Sequence, residues 1–209
     1  MIDFLQNEWQ QLASKFSKND GEIDALWKEI KTQYQLKTKH YHSLSHINSM
    51  IIQAKENEQS IEDYDAFLFA IWYHDIVYKA SKKDNENQSA RFAEKRLKTL
   101  NIKETTSITI QKLIVSTKNH QIILNKNRDN AFLLDIDLSI LGSDWATYQE
   151  YTQNIRNEYN IYPNFIYNKG RKQILKQFLN RDTLFFTEKY QLKFENQARQ
   201  NILREIEQL

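Results

Sequence analysis

FAIWYHDIVYKA, residues 69–80, sets Phe69, Ala70, Ile71, Trp72, Tyr73, Ile76, Val77 and Tyr78 around an adjacent His74 and Asp75. A run this apolar on every side belongs in a core. An ionised carboxylate taken there without a partner costs on the order of several kcal/mol, so Asp75 is paired or lies at an edge. What pairs with it decides how the rest of the chain is read.

Outward from that run, the pattern is helical in both directions. SIEDYD (60–65) carries start signals for the helix that holds His74 and Asp75, and SKKDNEN (81–87) reads as a loop and the opening of the next helix, with Ala90, Phe92, Ala93 and Leu97 inward. Upstream, Phe4, Leu5, Trp9, Leu12 and Phe16 recur at helical spacing, as do Ile23, Leu26, Trp27 and Ile30, with SKNDG (17–21) between them. After KTKH (37–40) a helix is predicted from about 43 to 56. Downstream, 105–119 is read as a helix, and AFLLDIDLSILG (131–142) as another, capped by Gly142. Asp144 opens 145–159, a long helix spans 164–180, RDTLFFTEKYQ (181–191) is a linker or short helix, and 192–208 closes the chain.

The sequence holds only three Gly and one Pro, too few for a sheet with many tight turns. No repeat, low-complexity tract or domain boundary stands out. The expectation is a single compact all-α domain over 1–209, with N-terminal helices (1–36) packed on a motif-bearing part from about 40 to 209.

Composition excludes several function classes. The net charge is only +2, with basic and acidic residues interspersed, which argues against a nucleic-acid binder or a polybasic membrane contact. There is no cysteine, hence no disulfide, thiolate nucleophile or Cys-based zinc site, and a reducing compartment is consistent with that. MIDFLQNEWQ lacks a basic leader region, and no stretch approaches the roughly 20 apolar residues of a membrane span. Cytoplasmic localisation is the expectation.

Three of the five histidines, His40, His42 and His46, fall within KHYHSLSHI. On a helix His42 and His46 share a face and can chelate a metal; the plainer alternative leaves His42 as a neighbour and only His46 inward. His74 has Ala70, Ile71, Val77 and Tyr78 one turn away, and Asp75 lies about 100° around the helix from it. In LLDIDLSILG, Asp137 is flanked at helical spacing by Leu133, Leu134, Ile140 and Leu141, and by that count is more embedded than Asp135. One divalent cation held by His46, His74, Asp75 and Asp137 would satisfy all four groups. Imidazole with carboxylate suits Mn, Fe, Co, Ni or Zn, and Mg where water completes the shell.

The ordered set His46, His74-Asp75 and Asp137 on helices resembles the HD-domain metal-dependent phosphohydrolase superfamily. It is most similar to an uncharacterised branch of predicted HD phosphohydrolases. YHSLSHI (41–47), AIWYHDIVY (70–78), NENQSA (85–90), LLDIDLSILG (133–142), YTQNIRNEY (151–159), Gly170-Arg171 and ENQARQNILREI (195–206) carry the likeness. Lys39-His40 departs from it, since an Arg is expected just before the Tyr-His.

The resemblance implies an all-helical HD-type domain, one divalent metal, and hydrolysis of a phosphate ester of a small metabolite or nucleotide by metal-activated water. It places Asp75 at the chemistry and suggests Glu86 as a downstream catalytic acid, with His120 as a second acid or phosphate contact. Lys118, Lys169, Arg171 and His42 are candidates for holding the phosphorylated substrate. The plainer readings are dipole complementation for Glu86 and His120, and solvation or a charged helix start for the cations. Trp145, Tyr148, Tyr151 and Tyr159 would wall a base pocket or, more simply, pack a core. The alternative function is a non-catalytic HD-fold sensor that binds metal and nucleotide and regulates a partner. Oligomeric state, substrate and the choice between Asp135 and Asp137 stay open at this level.

Overall fold

Eight consecutive residues, Ala66–Tyr73, are buried on every side of their helix, and the first part of the chain is built around them. The computed structural model describes residues 1–124 and 127–209, and every regular element among them is helical. The chain falls into two units, Met1–Leu133 and Leu134–Leu209.

The first unit contains α1 (Ile2–Ala13), α2 (Asp20–Tyr34), α3 (Leu44–Glu56), α4 (Tyr64–Tyr73), α5 (Asn85–Thr99), α6 (Glu104–Ser116) and the start of α7 (Arg128–Leu138). α4 packs against α3, α5 and α6, while α1 pairs with α2. Trp9 of α1 meets Trp72 edge-on at 5.8 Å and Phe69 and Tyr73 at 6.0 Å, and Trp27 of α2 meets Trp72 at 6.0 Å. Edge-to-face rings at this spacing add to the stabilisation from area burial.

The start of α4 is held by two carboxylates. Asp63 accepts from the Ala66 amide as N-cap, and buried Asp129 accepts from the amides of Glu62 and Asp63 at 2.7 and 3.0 Å. Both oxygens of Asp129 thus satisfy donors that the helix itself leaves open. At its other end α4 stops sooner than the pattern predicts: His74 is the C-cap, and Asp75 lies in the turn after it. The 100° argument for Asp75 therefore does not apply. The backbone groups that would extend the helix are taken by side chains instead. Buried Lys39 donates to the carbonyls of Asp75 (2.6 Å) and Ile76 (3.2 Å), and Ser89 of α5 bonds both the amide and the carbonyl of Val77.

The second unit comprises the end of α7, a 3-10 turn (Ser139–Gly142), α8 (Trp145–Glu158), α9 (Asn164–Leu179) and α10 (Glu188–Gln208). Helix α7 ends at Leu138, so Gly142 is not its C-cap, and no glycine has positive φ. The glycine is there for space. A Cβ at 142 would lie 2.6 Å from Phe194 Cβ of α10, against which the 3-10 turn packs. Asn201 of α10 completes this contact by donating to the carbonyls of Leu141 and Ser143.

Helix α10 begins at Glu188, earlier than the predicted 192, because the segment before it is pinned by carboxylates. Glu195 accepts from the amides of Leu184 and Phe185, and Asp135 accepts from those of Phe186 and Thr187. No helix among the described residues is long and apolar enough to cross a membrane.

Candidate metal centre

The site is assembled in the first unit, from the start of α3 and the end of α4. Ser43 caps α3 by accepting from the Ser45 amide, which sets His46 in the first turn, buried. His74 is also buried, and its Nδ1 lies 2.9 Å from the carbonyl oxygen of Ile71. A carbonyl only accepts, so Nδ1 donates to it and Nε2 is the ring atom left to face the other two groups. Fixing the tautomer through the distal nitrogen is the usual support for a metal-ligating histidine.

The Nε2 of His74 faces Nε2 of His46 at 3.3 Å and Oδ2 of Asp75 at 3.0 Å. All three ligand atoms lie within 4.8 Å of one another, and all three residues are buried. Lone pairs brought this close repel unless a proton or a cation lies between them. Bonds of about 2.0–2.2 Å to a divalent ion would set neighbouring ligand atoms roughly 2.8–3.6 Å apart. The observed 3.0 and 3.3 Å fall in that interval, so His46, His74 and Asp75 form a group that can hold a metal ion.

A mixed imidazole and carboxylate set of this kind is chemically suited to a borderline divalent cation. Comparison of the chain with protein-family models, with curated proteins and with solved structures returns no match. The chemistry of the site is therefore read from its own atoms.

Around the three ligands lie further predicted residues. His42 precedes α3 rather than sharing a helical face with His46, because the helix starts only at Leu44. Its ring stacks on Tyr78 at 3.8 Å, and its Nε2 is 3.8 Å from Asp75 Oδ2, a charge-pairing distance rather than a hydrogen bond. Tyr41 packs against both His42 and His46, at 5.1 and 4.9 Å. His40 is exposed.

Glu86, half-buried in the first turn of α5, has its carboxyl pushed up chiefly by burial and also by the charge of Asp75. Its own backbone amide, Lys118 and His120 act in the opposite direction. Asp75, Lys118 and His120 are thus each within electrostatic reach of Glu86. His120 follows α6 with a φ of 46°, a left-handed conformation uncommon for a residue with a side chain.

The remaining candidates belong to the second unit. Asp135 and not Asp137 is the more deeply buried acid, at 0% exposure, while Asp137 is half-buried. Counting apolar neighbours along the helix misses this, because the donors that hold Asp135 come from the segment before α10. Its two oxygens accept from the Phe186 and Thr187 amides and the Thr187 hydroxyl, at 2.6–2.8 Å. Burial still raises its carboxyl to about 6.

Arg171 is ion-paired with buried Glu205 through Nε and Nη2, at 2.7 and 3.1 Å, and Nη2 also donates to the Tyr151 hydroxyl. Tyr148 donates to the same Glu205 at 2.5 Å. The guanidinium therefore serves an internal network, whereas Lys169 is exposed. Tyr148 and Tyr151 are buried in the packing of this unit, the plainer of their two expected roles.

Sequence reasoning missed the residues that shape the turn itself. Lys39 reads as part of a basic connection, yet its ammonium is buried beneath the Asp75 carbonyl and over the Tyr34 ring, 4.3 Å from the centroid. Asn85 bonds the amide and carbonyl of Lys79, and Ser89 those of Val77. The one sequence signal was NENQSA, which contains Asn85 and Ser89 and belongs to the likeness without having a stated role.

Proposed function

We propose that this protein is a metal-dependent phosphohydrolase acting on a phosphate ester of a small metabolite or nucleotide, with one divalent cation held by His46, His74, Asp75 and Asp137. The observation that carries the reading is the buried group of His46, His74 and Asp75, which offers one ligand atom each within 4.8 Å of one another. When bound, such an ion supplies Lewis acidity toward a phosphoryl oxygen and acidifies a water. Asp137 as the fourth ligand rests on the motif order alone.

The chain's own groups then divide the remaining work. His74 is oriented by its Nδ1 contact with the Ile71 carbonyl, which leaves Nε2 free of that role and turned toward the ion's place. Glu86, whose carboxyl burial favours keeping its proton, is the candidate donor for the leaving oxygen. Lys118 supplies positive charge beside it for phosphate oxygens, with His120 as a second acid or phosphate contact. His42, flat against Tyr78, and Tyr41 form an aromatic lip that can orient the organic part of a substrate. The electrostatic reach of Asp75 and His120 to Glu86 is what supports turnover over the alternative, a sensor that binds metal and nucleotide without cleaving.

Elemental analysis of the purified chain and of Asp75→Ala, followed by a phosphatase screen of both with Mn, Mg, Co and Ni, tests the reading. Metal and activity in the first and neither in the second is the expected result. Metal without turnover on any phosphate ester leaves the sensor, and equal metal in both proteins removes the site.

A further inference from the structure

We propose that Asn130 is a positioning residue that clasps the turn after α6 and so presents Lys118 and His120 to phosphate, a role that rests on the hydrolase reading above.

The amide of Gln121 donates to the carbonyl of Ser116, and that of His120 to the carbonyl of Thr117, both at 3.3 Å. These are the paired bonds that close a helix through one left-handed residue. His120 is that residue, at φ 46°. Helix α5 closes in the same way, through the amides of Ile102 and Asn101, and there Asn101 takes the left-handed position at φ 58°. Glycine fits such a position without strain and asparagine is the usual second choice, so an imidazole is held there against the backbone's preference. The strained residue is also the one within electrostatic reach of Glu86.

A turn of this kind needs holding, and one side chain holds both its ends. Asn130, in the first turn of α7 and 0% exposed, accepts from the amides of Ile123 and Leu124 at 2.9 and 3.1 Å. Its Nδ2 donates to the Ser116 hydroxyl at 2.7 Å. That hydroxyl gives its own hydrogen to the Leu113 carbonyl at 2.6 Å, so toward Asn130 it can only accept. Two amides and a hydroxyl oxygen thus require an acceptor and a donor on one short side chain, which asparagine supplies and an ionised aspartate does not. Between the two ends lie Thr117–Ile122, with Lys118 and His120 among them. The residue before Asn130, Asp129, holds the start of α4 through the amides of Glu62 and Asp63. Two consecutive side chains therefore fix this turn and the helix ending at His74 to the same turn of α7.

The test follows the full-length, 15N-labelled chain with Mg present as inorganic phosphate is added. In the wild type the amides of Lys118 and His120 are expected to shift. Asn130→Ala should speed hydrogen exchange at Ile123 and Leu124 about tenfold and weaken phosphate binding by a similar factor, with Co affinity in isothermal titration within about twofold of wild type. Ser116→Ala keeps Asn130 and its two amide bonds, so it carries the test should Asn130→Ala fail to fold. It should weaken phosphate binding by about threefold, and adding it to Asn130→Ala should weaken binding no further, because the two changes break one shared contact. His120→Gly should lose about tenfold in phosphate affinity while the thermal midpoint stays level or rises, which separates the side chain's use from the fold.

Faster exchange at Ile123 and Leu124 with phosphate affinity unchanged would overturn the proposal and leave Asn130 a support of the fold. So would a loss of Co affinity in step with phosphate, since the variant would then be loosening the whole unit. A wild-type chain that binds Co but shows no phosphate shift at 118–120 would instead remove the phosphate contact from the hydrolase reading, and the clasp's role would fall with it.

Discussion

Lys39 Nζ donates to the main-chain carbonyl of Asp75 at 2.6 Å, so a buried ammonium, 36 residues away in sequence, fixes the backbone of the acid whose side chain faces His74. The same ammonium reaches the Ile76 carbonyl and lies over the Tyr34 ring. The carboxylate is thus aimed by its own peptide unit being held.

Lys39→Met should therefore weaken metal binding without touching a ligand. It leaves two carbonyls without their charged donor, a loss of about 2–3 kcal/mol in folding stability. Isothermal titration with Mn or Co, alongside a denaturant melt, checks this. Unchanged affinity in a destabilised protein would show that Lys39 supports the fold alone.

The two acids of α7 should separate cleanly. Asp135→Ala strips the acceptor from the amides of Phe186 and Thr187, and should cost about 2–4 kcal/mol while leaving bound metal per folded chain intact. Asp137→Ala should do the opposite, with little effect on stability and loss of the ion. Elemental analysis of both variants at equal folded fraction decides it, and metal lost only from Asp135→Ala would remove Asp137 from the ligand set.

Helix α8 offers a pH-dependent cap. Asp144 accepts from the hydroxyl and amide of Thr147, which hold its carboxyl below the ordinary range. A lowered folded value means that the ionised cap stabilises the protein above the unfolded value of about 3.9, and that this contribution fades as pH falls through the lower folded one. Asp144→Asn retains an acceptor but cannot titrate. Its thermal midpoint, relative to wild type, should rise as pH drops below about 4 and stay level above it. A constant difference at all pH values would show that Asp144 does not link α8 to protonation.

Much of this architecture was legible along the chain, and what escaped has a common physical cause. Helical periodicity located every α-helix, because each buries a stripe of its own residues. His46, His74 and Asp75 stood out as polar groups among apolar neighbours. Local spacing failed where partners arrive from far away. The sequence pattern carries the helix through Asp75, whereas it stops at Tyr73, since the groups that hold the turn after it are Lys39 and Ser89. Asp135 was ranked below Asp137 because its donors lie more than fifty residues on, at Phe186 and Thr187. Gly142 was read as a cap, the common reason for glycine after a helix, when the real reason is Phe194 across the packing.

The turn at 74–79 is tied down by Lys39 from before α3 and by Asn85 and Ser89 from α5, so its shape exists only when those segments have come together. An unfolded chain would scatter the three ligand atoms and bind an ion weakly. With a cation held there as proposed, ligand affinity and conformational stability of Met1–Leu133 would be linked: saturation would raise the melting temperature by mass action, and a distant substitution that loosens these segments would raise the dissociation constant. A metal titration of this protein is for that reason also a readout of its folding.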